Sequence, residues 1–430
     1  MGEERVIHAA LLGLGTVGGG VYKLAQRRKR EMMAKAGCRL SIDRILVRNA
    51  RRIRDGVDND LLTDRWEDVL NDDRIEIVIE VMGGIEPAKT YIEQALRSGK
   101  HVVTANKDLM AVHGQALFQL AKEHGCNLML EAAVAGGIPV IQPLRESLAG
   151  NEIDEVMGIV NGTTNYILTR MNNDGMEFEA ALAKATELGY AEADPTADVE
   201  GLDAARKLAI LATMAFHSEV TFDDVFAEGI TRITATDIEY AKAMDRRIKL
   251  LAVAHNTPEG IEVGVYPMLI PSSHPLASVS DSFNAVFVHG DAVGDVMFYG
   301  RGAGELPTAS AVLGDTIRLM RQIVSGSKDL QDDACYRQLS VKSPGDVANG
   351  YFLRMKVKDR PGTLAQIASV FGQNQVSIQQ VIQQPAKKNI AELVVITDRV
   401  QEKHMHRSLS DLSAMDIVYD ISSVIRVYGQ

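Results

Sequence analysis

The sequence predicts an α/β protein built from three successive parts, and three observations support this. Over residues 1–135, short apolar runs alternate with segments of helical periodicity, which is typical of a parallel sheet covered by helices on both faces. From residue 138 to 302, long helical patterns mix with strands in an α+β arrangement. Residues 351–430 show the order βαββαβ, which predicts a ferredoxin-like unit.

The first part contains apolar runs that predict the strands of a doubly wound parallel sheet. They are VIHAALLG (6–13), SIDRILV (41–47), IEIVIEVM (75–82), KHVVTA (100–105) and NLMLEAAV (127–134). Helical patterns at 86–99 and 113–125 separate the later strands. A further helix at 308–324 is expected to return and pack on this sheet. We therefore assign residues 1–137 and about 303–325 to one domain.

The boundary before the last part follows from composition. Residues 326–350 are polar and rich in Gly, Ser and Asp, which predicts a linker. The last part, residues 351–430, begins with the strand YFLRMKVK and the turn DRPG. Residues 138–302 then form a separate α+β domain.

The overall composition predicts an ordinary soluble protein. The chain has 430 residues, of which 46% are hydrophobic and 24% charged, and its net charge is −11. This acidic balance argues against nucleic acid or an anionic membrane as a partner. The N-terminal MGEERVIHAALLGLG shows neither a cleavable signal nor a long apolar span, and three scattered cysteines fit a reducing compartment. We therefore expect a cytoplasmic protein.

The stretch GLGTVG directly follows the first strand and opens a helix. Gly13, Gly15 and Gly18 match the Rossmann-type fingerprint G-x-G-x-x-G. The first glycine permits a tight turn, the second lets backbone approach a pyrophosphate, and the third allows close packing of helix on strand. A glycine turn without a ligand is the alternative, and the βαβ context favours a dinucleotide.

The end of the second strand indicates which dinucleotide is preferred. An NAD site places an acid there for the ribose hydroxyls, whereas this chain reads LVRNARRIR. Arg48, with Arg51 as a possible second group, can pair a 2′-phosphate through a bidentate fork. A solvated basic loop is the alternative. We favour NADP(H), with NAD(H) also possible.

Several motifs then occur in a characteristic order. They are GLGTVG, TANK (104–107), EAAVAGGIP (131–139), NGTTNYIL (161–168), GYAEADPTADVEGLDAARKLAI (189–210) and GRGAGELPTASAV (300–312). This order resembles the homoserine dehydrogenases, which interconvert aspartate 4-semialdehyde and homoserine. The C-terminal DRPGTLAQIASVF with VSIQQVIQQ resembles an ACT domain, a small amino-acid-binding regulatory fold. No aspartokinase-like segment precedes these motifs, so the resemblance is to the monofunctional type.

The resemblance implies roles for residues around the acidic stretch. Glu192 and Asp203 would hold the substrate ammonium, and Lys207 would donate the proton. Lys107 would be a second essential lysine near the nicotinamide. The remaining substrate contacts would be Thr163, Tyr190 and Asp198. Residues 138–302 would accordingly form the substrate-binding and dimerisation domain.

The resemblance also implies a cofactor site and a cation site. The cofactor contacts would be Gly13, Gly15, Thr16, Val17, Gly18, Arg48, Thr104, Lys107 and Gly302. A sodium ion would be held by the Glu131 carboxylate and the carbonyls of Val134, Gly136 and Ile138. A simple turn at these residues is the alternative to the cation site.

Elementary chemistry agrees with these roles. Hydride transfer to an aldehyde develops negative charge on its oxygen, and a positioned ammonium can stabilise that charge and supply the proton. Asp203 lies one helical turn before Lys207, so both side chains leave the same helix face. None of Cys38, Cys126 and Cys335 lies in the substrate motifs, which argues against acyl-enzyme chemistry.

For the C-terminal part, the resemblance implies that L-threonine binds and inhibits. Pro361 and Gly362 lie between a strand and a helix, where free N–H groups can receive a carboxylate. A purely structural dimerisation module is the alternative. Such domains pair with one another, so we expect a homodimer or homotetramer.

Two rival functions are considered. One is another NADP-dependent amino-acid dehydrogenase, which would have no reason to carry TANK and GYAEADP together. The other is a non-catalytic amino-acid sensor that keeps the dinucleotide-binding domain as a scaffold. Loss of Lys107 or Lys207 would favour the sensor, and both lysines are present.

Overall fold

A computed structural model describes residues 5–54, 56–327, 335–387 and 389–429. The chain divides into two compact units. The first consists of Met1–Val156, Arg206–Val225 and Phe283–Leu339, and the second of Met157–Ala205, Phe226–Ser282 and Ser340–Gln430. The predicted domain boundaries do not coincide with this division and stay a prediction.

The strands of the described residues are labelled in chain order. They are β1 Val6–Leu12, β2 Arg39–Leu46, β3 Leu62–Thr63, β4 Ile75–Glu80, β5 His101–Thr104, β6 Leu128–Met129, β7 Ile153–Ile159, β8 Phe226–Ala227, β9 Arg246–Thr257, β10 Gly260–Pro271, β11 Phe283–Gly290, β12 Gly294–Arg301, β13 Ala348–Lys358, β14 Ile378–Lys387, β15 Ile390–Thr397, β16 Val400–Gln401 and β17 Val418–Val427.

The α-helices are labelled in the same way. They are α1 Thr16–Arg27, α2 Lys29–Ala36, α3 Glu67–Leu70, α4 Ala88–Arg97, α5 Lys107–Glu123, α6 Gly162–Asp174, α7 Phe178–Glu187, α8 Thr196–Val199, α9 Leu202–Phe216, α10 Ala235–Ala243, α11 Glu305–Ser325, α12 Thr363–Gln373 and α13 Glu402–Ser413.

The first unit contains a six-stranded parallel sheet in the order β3-β2-β1-β4-β5-β6. The strand order reverses direction at β1, as in a Rossmann-type sheet, which confirms the predicted fold class. The predicted strand at 127–134 is shorter than expected. Only Leu128–Met129 pair with β5, because the chain then turns into a 3₁₀ segment at Glu131–Ala133.

Helix α11 contributes to the core of this first unit, as the pattern at 308–324 predicted. Ala309 and Val312 of α11 belong to the same buried cluster as Ile7 and Leu11 of β1. All four side chains have no exposed surface. The apolar stripe of α11 therefore covers the sheet that the N-terminal residues build.

The second unit contains the strands β9-β10-β17-β13-β15-β14 side by side. β9 and β10 form a long antiparallel hairpin, and β17 continues from β10 through two parallel pairs. The last four strands pair antiparallel in the order β17-β13-β15-β14. With α12 and α13 they form the predicted ferredoxin-like unit, whose core includes Tyr351, Ile367, Phe371, Leu393 and Leu412.

The segment predicted as a linker at 326–350 is described only in part, because residues 328–334 lie outside the described ranges. In the first unit, the N–H of Arg337 donates to the His217 carbonyl at 2.8 Å. In the second unit, the N–H of Lys342 donates to the Ile261 carbonyl at 2.8 Å, and its Nζ lies 2.9 Å from Glu262 Oε1. The described portion is thus held by hydrogen bonds, and β13 begins at Ala348.

Within the described part of the chain, no helix is both long enough and apolar enough to cross a membrane.

Candidate active site

The glycine loop of the first unit has the geometry that the sequence predicts. Gly13 has a φ of 98°, and Gly18 packs so closely that an added Cβ would lie 2.2 Å from the Gly13 carbonyl oxygen. A Cβ at Gly15 would meet nothing within 4 Å, so backbone is open there. Helix α1 begins at Thr16 without a side-chain cap on its N-terminus. Its first N–H groups can therefore receive phosphate oxygens.

A cleft of about 590 Å³ adjoins this loop. Gly13 and Gly15 line it together with Val47, Arg48 and Asn49, which follow β2. No acid stands at the end of β2, and Arg48, whose contact with the cofactor stays a prediction, lines the cleft. This volume and lining fit a dinucleotide, with a guanidinium in place of the ribose-binding carboxylate.

The cleft also contains two arginines that the sequence reasoning did not single out, Arg52 and Arg54. Arg54 Nη1 donates to the carbonyl oxygens of Asn49 and Arg52, at 3.2 and 2.9 Å. These bonds fold the basic stretch ARRIR back onto the end of β2. The run of arginines was visible in the sequence, but its approach to the cleft depends on this turn.

Glu80 is a further residue that the sequence reasoning missed. It ends β4, is fully buried, and its carboxylate accepts from Thr104 Oγ1 at 2.6 Å and from the N–H of Met82 at 2.7 Å. Burial raises the pKa of Glu80. Thr104, a predicted cofactor contact, thus uses its hydroxyl to tie β5 to β4, and Asn106 Oδ1 caps α5 by accepting from the Leu109 N–H.

The two predicted lysines lie on helices that an ion pair connects in the first unit. Lys107 is the first residue of α5, and Lys207 lies in α9. Their neighbours Asp108 and Arg206 form an ion pair at 3.1 Å. This pair, which sequence spacing does not reveal, holds α5 and α9 together beside both lysines.

In the second unit, one amide brings two of the predicted acids together. Asn161 Nδ2 donates to Asp198 Oδ1 at 2.7 Å and to Asp203 Oδ2 at 2.9 Å. Asn161 also caps α6, because its Oδ1 accepts from the Thr164 N–H at 2.9 Å. Asp203 is buried and Asp198 half-buried. The sequence motif NGTTNYIL contained Asn161, but only the fold shows that its amide faces both carboxylates.

Two further predicted substrate residues meet nearby in the same unit. Thr163 Oγ1 donates to the Tyr190 carbonyl oxygen at 2.6 Å, and the Tyr190 ring lies 4.9 Å from that of Tyr166. Glu192 is exposed in the loop that follows. The described residues show no hydrogen bond between its carboxylate and this cluster, so the structure does not bring it together with the others.

The predicted cation loop has an unexpected partner for its carboxylate. Glu131 accepts from the N–H groups of Val140, Ile141 and Gln142, at 2.6, 2.9 and 2.8 Å. Its own N–H donates to Asp315 Oδ2 at 2.9 Å, and burial together with the Glu131 charge raises the pKa of Asp315 to about 8. The Glu131 carboxylate therefore anchors the start of the next segment.

The turn itself is tightly packed. Ala135 and Gly136 both have positive φ values, 54° and 53°, and a Cβ on Gly136 would lie 2.3 Å from the Gly302 carbonyl oxygen. Beside Gly302, the buried Asn284 Oδ1 has no hydrogen-bond partner. Among the described residues, no group of three or more His, Cys, Asp or Glu side chains could hold a metal. The predicted carbonyl ligands stay a prediction.

Comparisons with known proteins match three successive parts of the chain. Residues 13–131 match the NAD-binding domain of homoserine dehydrogenase, residues 139–317 match homoserine dehydrogenase, and residues 351–414 match the ACT domain. The chain is 44% identical to a homoserine dehydrogenase of Bacillus subtilis, covering 99% of both chains.

Solved structures give the same result. A homoserine dehydrogenase from Thiobacillus denitrificans superposes with a TM-score of 0.93 at 39% identity, over 99% of this chain and 98% of that one. A hyperthermophilic archaeal homoserine dehydrogenase in complex with NADPH superposes with a TM-score of 0.63 at 26% identity, over 73% of this chain and 97% of that one.

The Rossmann-type sheet, the glycine-loop cleft and the C-terminal ACT domain define an NAD(P)-dependent oxidoreductase with a regulatory domain. The sequence identity of 44% over 99% of both chains then identifies the family within this class. The chain belongs to the homoserine dehydrogenase family.

Proposed function

We propose that this chain interconverts L-aspartate 4-semialdehyde and L-homoserine with NADP(H) as the preferred cofactor, in the biosynthesis of threonine, methionine and isoleucine. The observation that carries the proposal is the carboxylate pair Asp198 and Asp203, held by the Asn161 amide. Two adjacent carboxylates favour a cation, and the substrate carries an ammonium group.

The remaining substrate groups are assigned to neighbouring residues. Thr163 and Tyr190 meet through the Thr163 hydroxyl and lie in the same unit as the acids. This supports Thr163 as a contact for the substrate carboxylate and Tyr190 as a residue that lines the pocket. Glu192 would contact the substrate ammonium group only if the exposed loop after Tyr190 changed its conformation. We therefore assign ammonium binding first to Asp203 and Asp198.

Lys207 is assigned as the proton donor and Lys107 as a second lysine at the reacting oxygen. The ion pair between Asp108 and Arg206 supports this, since it joins the two helices next to the two lysines. The cofactor, when bound, supplies or accepts the hydride. The lysines stabilise the charge that develops on the substrate oxygen, and Lys207 supplies its proton in the reducing direction.

The NADP preference rests on the end of β2. Arg48 lies in the cleft, and the arginines at 52 and 54 add positive charge where an NAD site carries an acid. A 2′-phosphate can form charge-assisted hydrogen bonds with such a group. The NADPH complex of the archaeal relative agrees with this assignment.

We propose that a monovalent cation binds at the turn of Val134, Gly136 and Ile138, and we expect this ion to be sodium. The unsatisfied Asn284 Oδ1 beside Gly302 supports it, because a hard cation takes such oxygen ligands. A cation there would stabilise the turn. Its binding is tested by thermal unfolding in sodium chloride against choline chloride, where a saturable rise in Tm with sodium is expected.

Feedback inhibition by L-threonine is proposed for the ACT domain. The support is the turn before α12, where Gly362 has a φ of 88° and no side chain caps the helix. Its first N–H groups can donate hydrogen bonds to the carboxylate of an amino acid. Effector binding would then change the catalytic rate only if two states of the protein bind it differently.

A homodimer is proposed through the edge strand β12, which, among the residues that the structure describes, pairs with β11 alone. Alternate β12 residues are exposed, among them Asp295, Met297, Tyr299 and Arg301. If two copies pair antiparallel around Phe298, Asp295 lies opposite Arg301 and Met297 opposite Tyr299. This self-complementary pattern supports an isologous interface, from which a homotetramer could also be built.

The function is tested by mixing the protein with L-homoserine and NADP⁺ at alkaline pH and following nicotinamide absorbance. We expect homoserine-dependent reduction, a loss of about 10²–10⁴-fold in kcat for Lys207→Ala, and inhibition by L-threonine but not D-threonine. Binding of homoserine without any reduction would instead support the amino-acid sensor. Near-normal turnover of Lys207→Ala would refute the assignment of the proton donor.

A further inference from the structure

Two cations on β9 line a small cavity in the second unit, apart from the acids at Asn161. The cavity has a volume of about 230 Å³. Its lining includes Lys249 and Arg247 of β9, Thr169 and Asn172 of α6, and Ser280. Every polar side chain among these five can donate a hydrogen bond.

Lys249 is buried, with 5% of its surface exposed. Its Nζ donates to Asn165 Oδ1 at 3.0 Å and to the Val279 carbonyl oxygen at 2.5 Å. Both acceptors are neutral, and they use two of the three protons of the ammonium group. Burial, followed by the like charge of Arg247, lowers the pKa of Lys249 to about 8.

Arg247 is half-buried, and its charge, like that of Lys249, is not balanced by a carboxylate of the described residues. Its Nη1 donates to the Arg246 carbonyl oxygen at 3.3 Å. In the described part of the chain, no carboxylate lies within ion-pairing distance of Arg247 or Lys249. The planar guanidinium keeps further N–H groups that suit an oxyanion.

The other charges around the cavity do not balance these two. The charge of Asp281 acts on Lys249, but the Asp281 carboxylate pairs with Arg170 Nη2 at 2.6 Å. Arg170 also binds Asp174 at 3.0 Å. Three cations against two carboxylates leave one positive charge. The carbonyl end of α6 offsets about half a charge at most, so the surplus stays positive.

We propose that this cavity is a binding site for a small carboxylate monoanion, held by Lys249 and Arg247. The third proton of the Lys249 ammonium and the free N–H groups of Arg247 contact the carboxylate oxygens. The Asn172 amide donates one N–H to Asn173 Oδ1 at 2.7 Å and keeps its second N–H for the rest of the ligand. The hydroxyls of Thr169 and Ser280 donate to the carbonyl oxygens of Asn165 and Ser278 and serve as lining. A buried cation without a counter-ion is costly, and a monoanion removes that cost where water alone would not.

The site predicts a direction for the effect of pH. Anion binding requires the charged form of Lys249, so affinity falls as the pH rises from 7 to 9. The other charged groups around the cavity are Arg247, Arg170, Asp174 and Asp281. Binding conversely favours the protonated ammonium, so the bound state holds its proton to higher pH.

Sodium acetate tests the site, with sodium chloride at equal ionic strength as the reference and calorimetry and thermal unfolding as the readouts. We expect heat of acetate binding and a saturable, acetate-specific rise in Tm for the wild type. Arg247→Gln and Lys249→Met should each weaken acetate binding at least tenfold. Lys242→Gln removes an exposed cation outside the cavity in the same unit and should leave binding unchanged.

Arg247→Gln keeps the test decisive if Lys249→Met does not fold, because Arg247 is only half-buried. Acetate binding that is equally strong in wild type and Arg247→Gln, or absent in both, would overturn the proposal. Binding that does not weaken between pH 7 and 9 would remove Lys249 from the site.

Discussion

At the scale of single residues, Asn161 does three things at once. It caps α6 through Oδ1 and donates to both Asp198 and Asp203 through Nδ2. The sequence could predict the acids, because acids and a lysine stood together in one motif. It could not predict their amide partner, since residues 161 and 203 are far apart in sequence and become neighbours only in the folded chain.

Replacing Asn161 separates its roles. Asn161→Asp keeps the cap but replaces the donor by a third carboxylate, and Asn161→Ala removes both functions. We expect about 0.5–2 kcal/mol lower unfolding free energy for the alanine variant from the lost cap. Both variants should raise the KM for homoserine, because the two acids lose the group that fixes them.

Denaturant unfolding and steady-state kinetics measure these two effects. A raised KM in Asn161→Ala alone, with normal kinetics in Asn161→Asp, would show that the cap matters and the shared amide does not.

Arg48 sets the cofactor preference at the same scale. Arg48→Gln should raise the KM for NADP⁺ by about 10–100-fold, because charge-assisted hydrogen bonds contribute about 1.5–3 kcal/mol. The KM for NAD⁺ should hardly change, since NAD⁺ has no 2′-phosphate. Arg28→Gln, at an exposed position after α1, is the matched control. Equal losses with both cofactors would contradict this assignment.

At the scale of elements, the β1–α1 loop was predicted correctly because each glycine has a local reason. The positive φ of Gly13, the open space beside Gly15 and the close packing of Gly18 all follow from the turn itself and need few distant contacts. The strand at 127–134 was predicted too long for the opposite reason. Its apolar run looks continuous, but the Glu131 N–H pairs with Asp315, a residue far along the chain.

Alanine substitutions at Gly15, Gly18 and Gly19 should have three different effects on stability and cofactor binding. Gly18→Ala should lower Tm, because its Cβ would meet the Gly13 carbonyl oxygen at 2.2 Å. Gly15→Ala should leave Tm unchanged but raise the cofactor KM, since only the ligand occupies the space beside it. Gly19→Ala is the control, with nothing within 4 Å and a gain in helix propensity of up to about 1 kcal/mol.

Thermal unfolding and the KM for NADP⁺ distinguish these cases. Loss of stability in Gly15→Ala, with intact cofactor binding, would show that the loop does not hold the pyrophosphate as assigned.

At the scale of the whole molecule, the sequence predicted the fold class and the family because several long motifs occur in the order that is characteristic of that family. It did not predict that β17 pairs with β10 in the same sheet. This pairing joins Met268 to Arg426 and Leu269 to Val427. Such long-range pairing carries no local signal. The cavity at Lys249 was missed for the same reason, since its walls come from α6, β9 and a distant turn.

The proposed β12 interface is testable at this scale. Tyr299 is 53% exposed, and Tyr299→Asp should shift the protein towards a smaller oligomer by placing like charges at the interface. Met33→Asp, at a position 41% exposed in α2, is the control and should not change the mass. Sedimentation velocity measures both. An unchanged oligomer in Tyr299→Asp would exclude β12 from the interface.

The most direct test of the central assignment compares two substrates in one variant. 4-Hydroxybutyrate has the carbon chain, hydroxyl and carboxylate of homoserine but no ammonium group. If Asp203 and Asp198 bind that ammonium, Asp203→Asn should lower kcat/KM for homoserine at least tenfold while leaving the value for 4-hydroxybutyrate nearly unchanged. A loss of about 1.4 kcal/mol corresponds to this factor. Equal losses for both substrates would contradict ammonium binding by the carboxylate pair and leave Asp203 a structural role.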